Sequence, residues 1–598
     1  VWFKAIVVSA ETNIPSQLSR VLYVDLIGPD EKLLEQKLVK IDGGFGNNFF
    51  KLQKTYPKGR YLIRAYTEWN KNFGQDFIFK TYINVFASVE KDEVDPIKKL
   101  ALVKDERGQE FVNIDIDALQ LDSLQKRKLN IAMTYNNVRD SLVVKKDKTG
   151  NYKFSYKVPE NTNVLTLTLE TENKIKFTKT ISLKGELTDL QFFPESGKML
   201  QNHTNKIGFK AIDVAGEGVN VQGEIVDQNN NTVSSFKSNE LGMGIFALRP
   251  SIGNQYFARL TNATGKTKKY SLPPAVAKGS LLLISELEDK IRISVVSNQL
   301  QSERIFIRST CRGIAYYEIE GKLKNGQLTT TLPRNNFPEG IQVFTLLDNN
   351  KEPLAERLFF NELPKERLQI ELSADATSYM QRDKTTLDIK ILDNDVDSSV
   401  YDTSVLVINK ELLNKEQNGR QNILSYLLLD SELRGNIENP SYYFDTNNEI
   451  RKFELDALLL TQGWRNYKYD TLSKNNFSFK NEPALNVNGR IGIPFSKIKK
   501  EGMEISMAVF GENTSFYSQR TDSLGYFDLQ IADTYGERAK VLVQNNDKKG
   551  KKRNYPIALT KKKPIKIKYE HRPTTKKLDD EIQIIAQKKQ NNKQALDA

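Results

Sequence analysis

Short apolar runs separated by turn residues recur along the whole chain. The pattern is clearest between Asp189 and Leu260, where Gly-, Asn- and Pro-containing stretches interrupt the apolar runs. Turn signals that recur about every 8–12 residues, as they do here, are typical of an antiparallel β-sandwich. Gly216–Gly218 and Gln228–Asn231 fit the turns, because Gly and Asn tolerate the positive φ that tight hairpins require. The apolar runs are Lys206–Ile212, Val219–Val226, Thr232–Phe236, Ile245–Leu248 and Tyr256–Leu260.

Repetition of this pattern predicts a mainly β fold, a tandem array of antiparallel Ig-like sandwiches. A chain of 598 residues is too long for one hydrophobic core, and about 100 residues per sandwich gives five or six modules. A charged, Gln- and Asn-rich linker or tail is expected at 571–598. The predicted sandwich modules are 1–86, 87–187, 188–278, 279–362, 363–480 and 481–570.

The alternating pattern changes to helical spacing in one part of the fifth module. Asn422–Leu433 and Ile450–Trp464 have apolar residues at i, i+3 and i+4, as at Leu455 and the leucines that follow it. Gly463 lies where a C-terminal helix cap is expected. The sequence therefore predicts a short helical insertion at about 421–465.

Two groups of aromatic residues are candidates for a binding surface. Trp69 and Phe73 lie in a predicted loop, and Tyr442, Tyr443 and Phe444 are consecutive between the two predicted helices. Rings in such places can stack on a ligand or contact a protein partner. The alternative is packing, in which the first pair closes the end of a sandwich and the second group covers a neighbouring sandwich.

The chain carries 88 Lys and Arg against 75 Asp and Glu, a formal net charge of +13. Part of the excess lies in Lys548–Arg553, Lys561–Lys568 and Lys576–Lys577. Such segments can bind anionic lipid or lipopolysaccharide, or they can be solvated loops and a charged tail. No nucleic-acid-binding motif accompanies the charge, so no nucleic acid partner is expected.

Candidate chemistry is sparse. The only cysteine, Cys311, flanks an apolar strand and is expected to be a small buried residue, so there is no disulfide framework. The two histidines, His203 and His571, lie in different modules, and neither has the partners of a zinc site or a serine triad.

The chain also lacks the complete EF-hand pattern of a calcium-binding loop. Asp393, Asp395 and Asp397 alternate as at the start of an EF-hand loop, but Ser398 and Ser404 stand where the loop glycine and the bidentate glutamate belong. A looser site at a sandwich edge stays open as an alternative to a polar hairpin. We therefore predict a non-enzyme with no catalytic, cofactor-binding or metal-binding residues and no cofactor.

Several segments carry a family resemblance. FFPESGKML, NKIGFKAID and GMGIFALRP resemble a macroglobulin (MG2-type) sandwich of the alpha-2-macroglobulin superfamily. With VWFKAIVV, FPEGIQVFTLLDNN and LLLTQGWRNYKYD, the chain is most similar to thioester-less macroglobulin-domain proteins of the Bacteroidota cell envelope. VNGRIGIP resembles carboxypeptidase-regulatory-like sandwiches, and LDDEIQIIAQKK resembles a linker that leads into a plug domain like that of TonB-dependent receptors.

The resemblance implies a scaffold or binding arm rather than a covalent protease trap. A trap needs a thioester between a Cys and a nearby Gln, and no Gln follows Cys311 closely. The implied partners are outer-membrane proteins, including TonB-dependent transport or assembly machinery. The implied location is outside the cytoplasm, in the periplasm or at the outer membrane or cell surface.

Other functions stay open at this point. A glycan- or peptide-binding array would use the aromatic groups, a dispersed carboxylate pair could form an enzyme site, and non-covalent protease inhibition follows by analogy with the superfamily. No apolar run reaches the roughly 18 residues of a membrane-spanning helix. Because Val1–Phe3 already has a strand pattern, we expect the first sandwich to be truncated and membrane association to run through a partner or a missing terminus.

Overall fold

The protein, seen in a computed structural model, is almost entirely antiparallel β-structure, which confirms the predicted fold class. The chain divides into two compact units, Val1–Leu187 with Leu472–Ala598, and Thr188–Thr471. Sandwiches are numbered below after the predicted modules, whose exact boundaries stay predictions. The described residues are 1–53, 56, 59–85, 96–105, 107–117, 128–136, 138–148, 150–162, 164–170, 176–183, 188–213, 216–261, 267–392, 403–406, 421–433, 435–464, 477–492, 501–510, 514–531, 540–547, 549–560, 562, 565–569 and 574–576.

Sandwich 1 pairs a two-stranded sheet with a four-stranded sheet. Its strands are β1 (Trp2–Ile6), β2 (Val21–Ile27), β3 (Leu33–Lys40), β4 (Phe45–Phe49), β5 (Gly59–Tyr66) and β6 (Phe79–Val85). β1 pairs with β4, and the larger sheet has the order β3-β2-β5-β6. Every residue of β2 is buried, because one face of its sheet covers the sandwich core and the other face is covered by chain segments from beyond residue 477.

Sandwich 2 has a three-stranded and a five-stranded sheet. Its strands are β7 (Ile97–Lys104), β8 (Glu110–Ile116), β9 (Lys128–Tyr135), β10 (Val138–Lys145), β11 (Tyr152–Lys157), β12 (Val164–Glu170) and β13 (Lys176–Ser182). The orders are β11-β8-β7 and β10-β9-β12-β13, with a fifth strand from residues 574–576 next to β13. Leu165, Leu167 and Leu169 alternate inward from β12 into a core between the sheets, as the two-residue period of a strand requires.

Sandwich 3 repeats this arrangement. Its strands are β14 (Asp189–Pro194), β15 (Met199–Leu200), β16 (Asn205–Ile212), β17 (Gln222–Asp227), β18 (Thr232–Lys237), β19 (Met243–Leu248), β20 (Tyr256–Thr261), β21 (Thr267–Ser271) and β22 (Ala275–Val276). The main sheets are β14-β16-β19 and β18-β17-β20-β21. Gly242 lies in the turn before β19 with φ +74°, where a Cβ would be 2.1 Å from the Ala211 carbonyl oxygen, so the turn requires glycine.

Sandwich 4 repeats the arrangement again, with sheets of three and four strands. Its strands are β23 (Ser280–Leu287), β24 (Lys290–Ser297), β25 (Arg304–Cys311), β26 (Ile314–Lys322), β27 (Gln327–Pro333), β28 (Gly340–Leu347) and β29 (Pro353–Asn361). The orders are β23-β24-β27 and β26-β25-β28-β29. A hairpin of β30 (Gln369–Ala374) and β31 (Leu387–Leu392) follows.

The predicted helical insertion is confirmed. It contains α1 (Ile423–Ser425), a π-helical turn (Tyr426–Asp430), a 3₁₀ turn (Pro440–Phe444) and α2 (Arg451–Thr461). Asn422 and Ser425 cap α1 reciprocally, each side chain accepting a hydrogen bond from the other residue's backbone N–H. Gly463 follows the last turn of α2, where a Cβ would be 2.8 Å from Cδ2 of Leu358, so this glycine permits close packing on β29.

Sandwich 6 follows the fifth predicted module, which holds the β30–β31 hairpin and the helical insertion. Its strands are β32 (Leu485–Ile491), β33 (Glu504–Phe510), β34 (Ser515–Arg520), β35 (Tyr526–Ile531), β36 (Lys540–Asn546), β37 (Lys552–Arg553) and β38 (Ile557–Leu559), and β39 (Thr574–Lys576) lies beyond it. The sheets are β35-β32-β38 and β34-β33-β36-β37. β39 pairs in parallel with β13, at the edge of sandwich 2.

Candidate binding surfaces

The second predicted aromatic group lies within a core of the Thr188–Thr471 unit. Tyr443 is fully buried, and Phe444 packs edge-on against Phe360 of β29 at a centroid distance of 5.8 Å. Tyr442 is half-buried and its hydroxyl donates a hydrogen bond to Oε2 of Glu454 at 2.6 Å. The Tyr443 ring is thus part of the packing of this core and offers no area to a ligand.

We call the core that contains Tyr443 the bridge core, because it receives side chains from sandwich 3, sandwich 4 and the helical insertion. Helix α2 lies so close to β16 that a Cβ on Gly208 would be 2.7 Å from Cβ of Leu460. Burial also raises the pKa of Tyr443 well above its usual value, so the ring stays neutral. The buried residues of the bridge core are Leu241, Met243, Ile341, Leu358, Phe360, Leu429, Leu433, Ile437, Tyr443, Leu455, Ala457, Leu458 and Leu459.

A buried ion-pair network joins the same three parts. Nε of Arg357 on β29 donates to Oε1 of Glu195, which follows β14, at 2.7 Å. The same guanidinium pairs with Asp456 on α2, which also accepts a hydrogen bond from Lys206 on β16 at 3.2 Å. Arg357 and Glu195 are almost fully buried, so each depends on its partner for compensation of its charge.

The first predicted aromatic pair lies in the other unit, at the surface of sandwich 1. Trp69 and Phe73 belong to a 3₁₀ turn after β5, and Phe477 contacts both, with centroid distances of 4.9 Å and 5.8 Å. Phe77 packs edge-on against Phe73 at 6.1 Å. Phe73, Phe77 and Phe477 are 42%, 63% and 49% exposed. These four rings, which we call the aromatic cluster, form a partly exposed apolar surface.

Polar contacts hold the aromatic cluster in place. Asn72 Nδ2 donates to the Phe479 carbonyl at 2.8 Å, and the Phe479 N–H donates back to Oδ1 of Asn72 at 2.9 Å. Lys71 is buried between Glu68 and the rings of Tyr23, Tyr66 and Phe479. The segment after Phe477 is therefore fixed against the turn that carries Trp69. Sequence reasoning found Trp69 and Phe73 but missed Phe477, because more than 400 residues separate them.

Beside the aromatic cluster, the outer face of the β3-β2-β5-β6 sheet carries a buried ion pair. Nε of Arg64 on β5 donates to Oδ2 of Asp25 on β2 at 2.7 Å, and both side chains are almost fully buried. Gln36 Nε2 donates to the second oxygen of Asp25 at 2.7 Å. The sequence offers a signal for this pair, since Asp25 and Arg64 each interrupt an apolar strand, and a charge in such a strand needs a buried partner.

The remaining residues considered for catalysis or metal binding are the cysteine, the two histidines and the aspartate group. Cys311 is fully buried, as expected, and burial raises its thiol pKa. His203 Nδ1 lies 2.8 Å from the Gln201 carbonyl oxygen in a turn. His571 and the Asp393, Asp395 and Asp397 group lie outside the described residues.

In the described regions, no three His, Cys, Asp or Glu side chains come together as ligands for a metal ion. None of the helices formed there is long and apolar enough to cross a membrane.

Comparison with known proteins gives only distant structural likeness. No protein-family model and no curated protein matches the chain. The chain is similar to a Salmonella alpha-2-macroglobulin reacted with methylamine, at 10% identity and a TM-score of 0.27, over 94% of this chain and 38% of that one. The native Escherichia coli alpha-2-macroglobulin matches at 10% identity and a TM-score of 0.26, over 94% and 38%.

A further match is the dimeric latent PorU of Porphyromonas gingivalis, at 11% identity and a TM-score of 0.19, over 44% of this chain and 33% of that one. The chain thus spans about two-fifths of the alpha-2-macroglobulin chains and a third of PorU. At TM-scores of this size, the likeness defines neither the activity nor the partners of this protein.

Proposed function

We propose that this protein is a non-enzymatic scaffold or binding arm of a bacterial cell envelope, exported to the periplasm or outer membrane, that contacts outer-membrane proteins. The bridge core is the observation that carries the scaffold part. The macroglobulin-type segments of the sequence, FFPESGKML, NKIGFKAID and GMGIFALRP, support the envelope location and the class of partner.

The bridge core supports a scaffold because it removes freedom between successive modules. Sandwiches joined only by a linker move relative to one another by default. Here Leu241 from sandwich 3 and Leu358 from sandwich 4 are buried in one core with Leu458 of α2. The Arg357 network adds directional contacts across the same junction. A unit fixed in this way presents its outer surfaces at a set distance and orientation.

The aromatic cluster is the surface that we assign to partner contact. Trp and Phe are enriched where protein interfaces bury their central area. Phe77 and Phe477 expose more than two-fifths of their surface. Trp69 has ring contacts with Phe73 and Phe477. Rigid, partly exposed rings lose little conformational entropy on binding.

An affinity pull-down tests this function. The tagged full-length protein would be recovered from detergent-solubilised native envelopes, and co-purifying proteins identified by mass spectrometry. We expect a stoichiometric outer-membrane partner with the wild type and its loss with Phe73→Ser/Phe77→Ser. Phe516→Ser is the matched control, since Phe516 is 79% exposed and lies on β34 of sandwich 6, outside the aromatic cluster. Recovery of the wild type without a co-purifying partner would count against the proposal. Equal loss of the partner with Phe516→Ser would also count against it.

A glycan-binding array is the second candidate, and the exposure of the aromatic cluster favours it. Aromatic faces also stack on sugars, and the cluster offers several adjacent rings. The wild type would then bind a glycan array, Phe73→Ser/Phe77→Ser would not, and the pull-down would yield no protein partner. These results together would favour glycan binding over the scaffold function.

A further inference from the structure

The outer face of the β3-β2-β5-β6 sheet holds a segment that belongs to no strand. We call this segment the strap and define it as Lys562 with Ile565–Tyr569. Its contacts reach from one end of the face to the other, and they involve both its backbone and its side chains. The strap therefore lies on the sheet as an extended peptide lies on its receptor.

Arg64 recognises the backbone of the strap. Its Nη2 donates to the Ile565 carbonyl at 3.0 Å and its Nη1 donates to the Lys566 carbonyl at 3.1 Å. Asp25 fixes the guanidinium from the other side through Nε, at 2.7 Å. The fork of donors is thus pre-oriented toward two successive carbonyl groups, a geometry that a lysine could not provide.

Three side chains of the strap have their own contacts on the face. Ile565 packs into the apolar cluster of Val21, Tyr23, Tyr66 and Ile78. The ammonium group of Lys562 pairs with Glu482 and with the hydroxyl of Tyr23. The hydroxyl of Tyr569 donates to the Arg60 carbonyl, and its ring packs edge-on against Tyr82 at a centroid distance of 5.5 Å.

Removal of the strap would leave this face in an unfavourable state. Two donors of the buried Arg64 guanidinium would lose their acceptors. An unsatisfied buried donor costs more free energy than a typical hydrogen bond contributes to stability. The apolar cluster around Tyr23 would lose its contact with Ile565, beside an acidic Glu482. The face is therefore complementary to an extended segment with a cation at one end, an aliphatic residue in the middle and a tyrosine at the other end.

We propose that this face is a peptide-docking site, and that the strap is its resident ligand. The site accepts an extended peptide with Lys, Ile three residues later and Tyr four residues after that, as in Lys562, Ile565 and Tyr569. Specificity comes from the three side chains, and Arg64 supplies backbone recognition. This docking site lies beside the aromatic cluster, and its Tyr23 and Tyr66 rings also contact Lys71 there. It does not depend on the proposed scaffold role.

The test uses a fluorescent peptide of residues 560–570 and the full-length protein. In the wild type the tethered strap competes at an effective concentration on the order of mM, so we expect little binding of the peptide. In Ile565→Asp/Tyr569→Ala the strap is released, and we expect fluorescence anisotropy to show at least tenfold tighter binding. Adding Arg64→Gln should remove that gain. A scrambled peptide with the same charge is the control.

Two results would overturn the proposal. One is no binding to a strap-released protein that keeps the wild-type near-UV circular dichroism and thermal transition. The other is equal binding of the scrambled peptide, which would mean attraction by charge alone.

If the variant does not fold, trypsin digestion of the wild type decides. Cleavage after Lys566 and Lys568 should be at least tenfold slower than cleavage after Lys551, which lies in an exposed hairpin turn. Equal cleavage rates at these sites would reject docking of the strap.

Discussion

At the scale of single residues, Asp430 is an ionisable group in an environment that disfavours its charged form. It ends the π-helical turn of the insertion, and its Oδ2 accepts a hydrogen bond from Gln421 at 2.6 Å. Its Oδ1 is buried and lacks a hydrogen-bonding partner among the described residues. Burial raises the pKa of Asp430 to about 6, because loss of solvation disfavours the charged form.

This shift gives a pH-dependent prediction. A folded-state pKa above the unfolded value of about 3.9 means that the native state binds the proton more tightly, so the contribution of Asp430 to stability falls as the pH rises from about 4 to 6. Asp430→Asn keeps an acceptor for Gln421 but cannot ionise. We expect its Tm minus that of the wild type to be near zero at pH 4 and positive at pH 7, measured by thermal unfolding. A difference independent of pH would contradict this account.

Arg357 gives a second residue-scale prediction. Arg357→Met removes the buried cation that Glu195 and Asp456 share and leaves them only Lys206, at 4.0 Å and 3.2 Å. Loss of one partner from a buried pair typically costs about 3–5 kcal/mol, which urea unfolding would measure. Arg259→Met is the matched control, because Arg259 pairs with Glu224 at a partly exposed site, where such pairs contribute about 0–1 kcal/mol. Equal effects of the two substitutions would argue against the network.

At the scale of elements, local patterns predicted the type of structure well and its partners poorly. The helical spacing predicted a helix over Ile450–Trp464, and α2 spans Arg451–Thr461. The apolar run in β2 predicted a strand, but not that both its faces are covered. Periodicity reports which face of an element is apolar. It does not report which distant segment covers that face, so the strap and the bridge core could not be predicted.

Helix α2 carries the element-scale prediction. Leu458 is fully buried in the bridge core, whereas Phe453 on the same helix is 53% exposed. Leu458→Ala should lower the free energy of unfolding by about 2–5 kcal/mol, through lost burial and the cavity left behind. Phe453→Ala, which removes a larger side chain from the same helix, should change it by less than about 1 kcal/mol. A larger effect of Phe453→Ala would show that α2 does not dock as described.

At the scale of the molecule, the bridge core makes the Thr188–Thr471 unit more than a row of sandwiches. Sandwich 3 has its own core around Phe209 and Phe236, and sandwich 4 has its own around Ile293 and Phe344. If these cores were independent, each would open alone. Because Met243 of sandwich 3 and Phe360 of sandwich 4 share the bridge core, opening of either sandwich exposes apolar surface of the other.

This coupling predicts cooperative unfolding, which native-state hydrogen exchange can detect. Phe236→Ala perturbs the core of sandwich 3 only, at a residue outside the bridge core. We expect it to lower the protection of the slowest amides in β28 of sandwich 4 by the same factor as those in β16 of sandwich 3. Val233→Ala, at a 47% exposed position on β18, should leave both unchanged. Loss of protection confined to β16 would mean that the sandwiches open separately, and the fixed geometry that the scaffold proposal requires would then lack its physical basis.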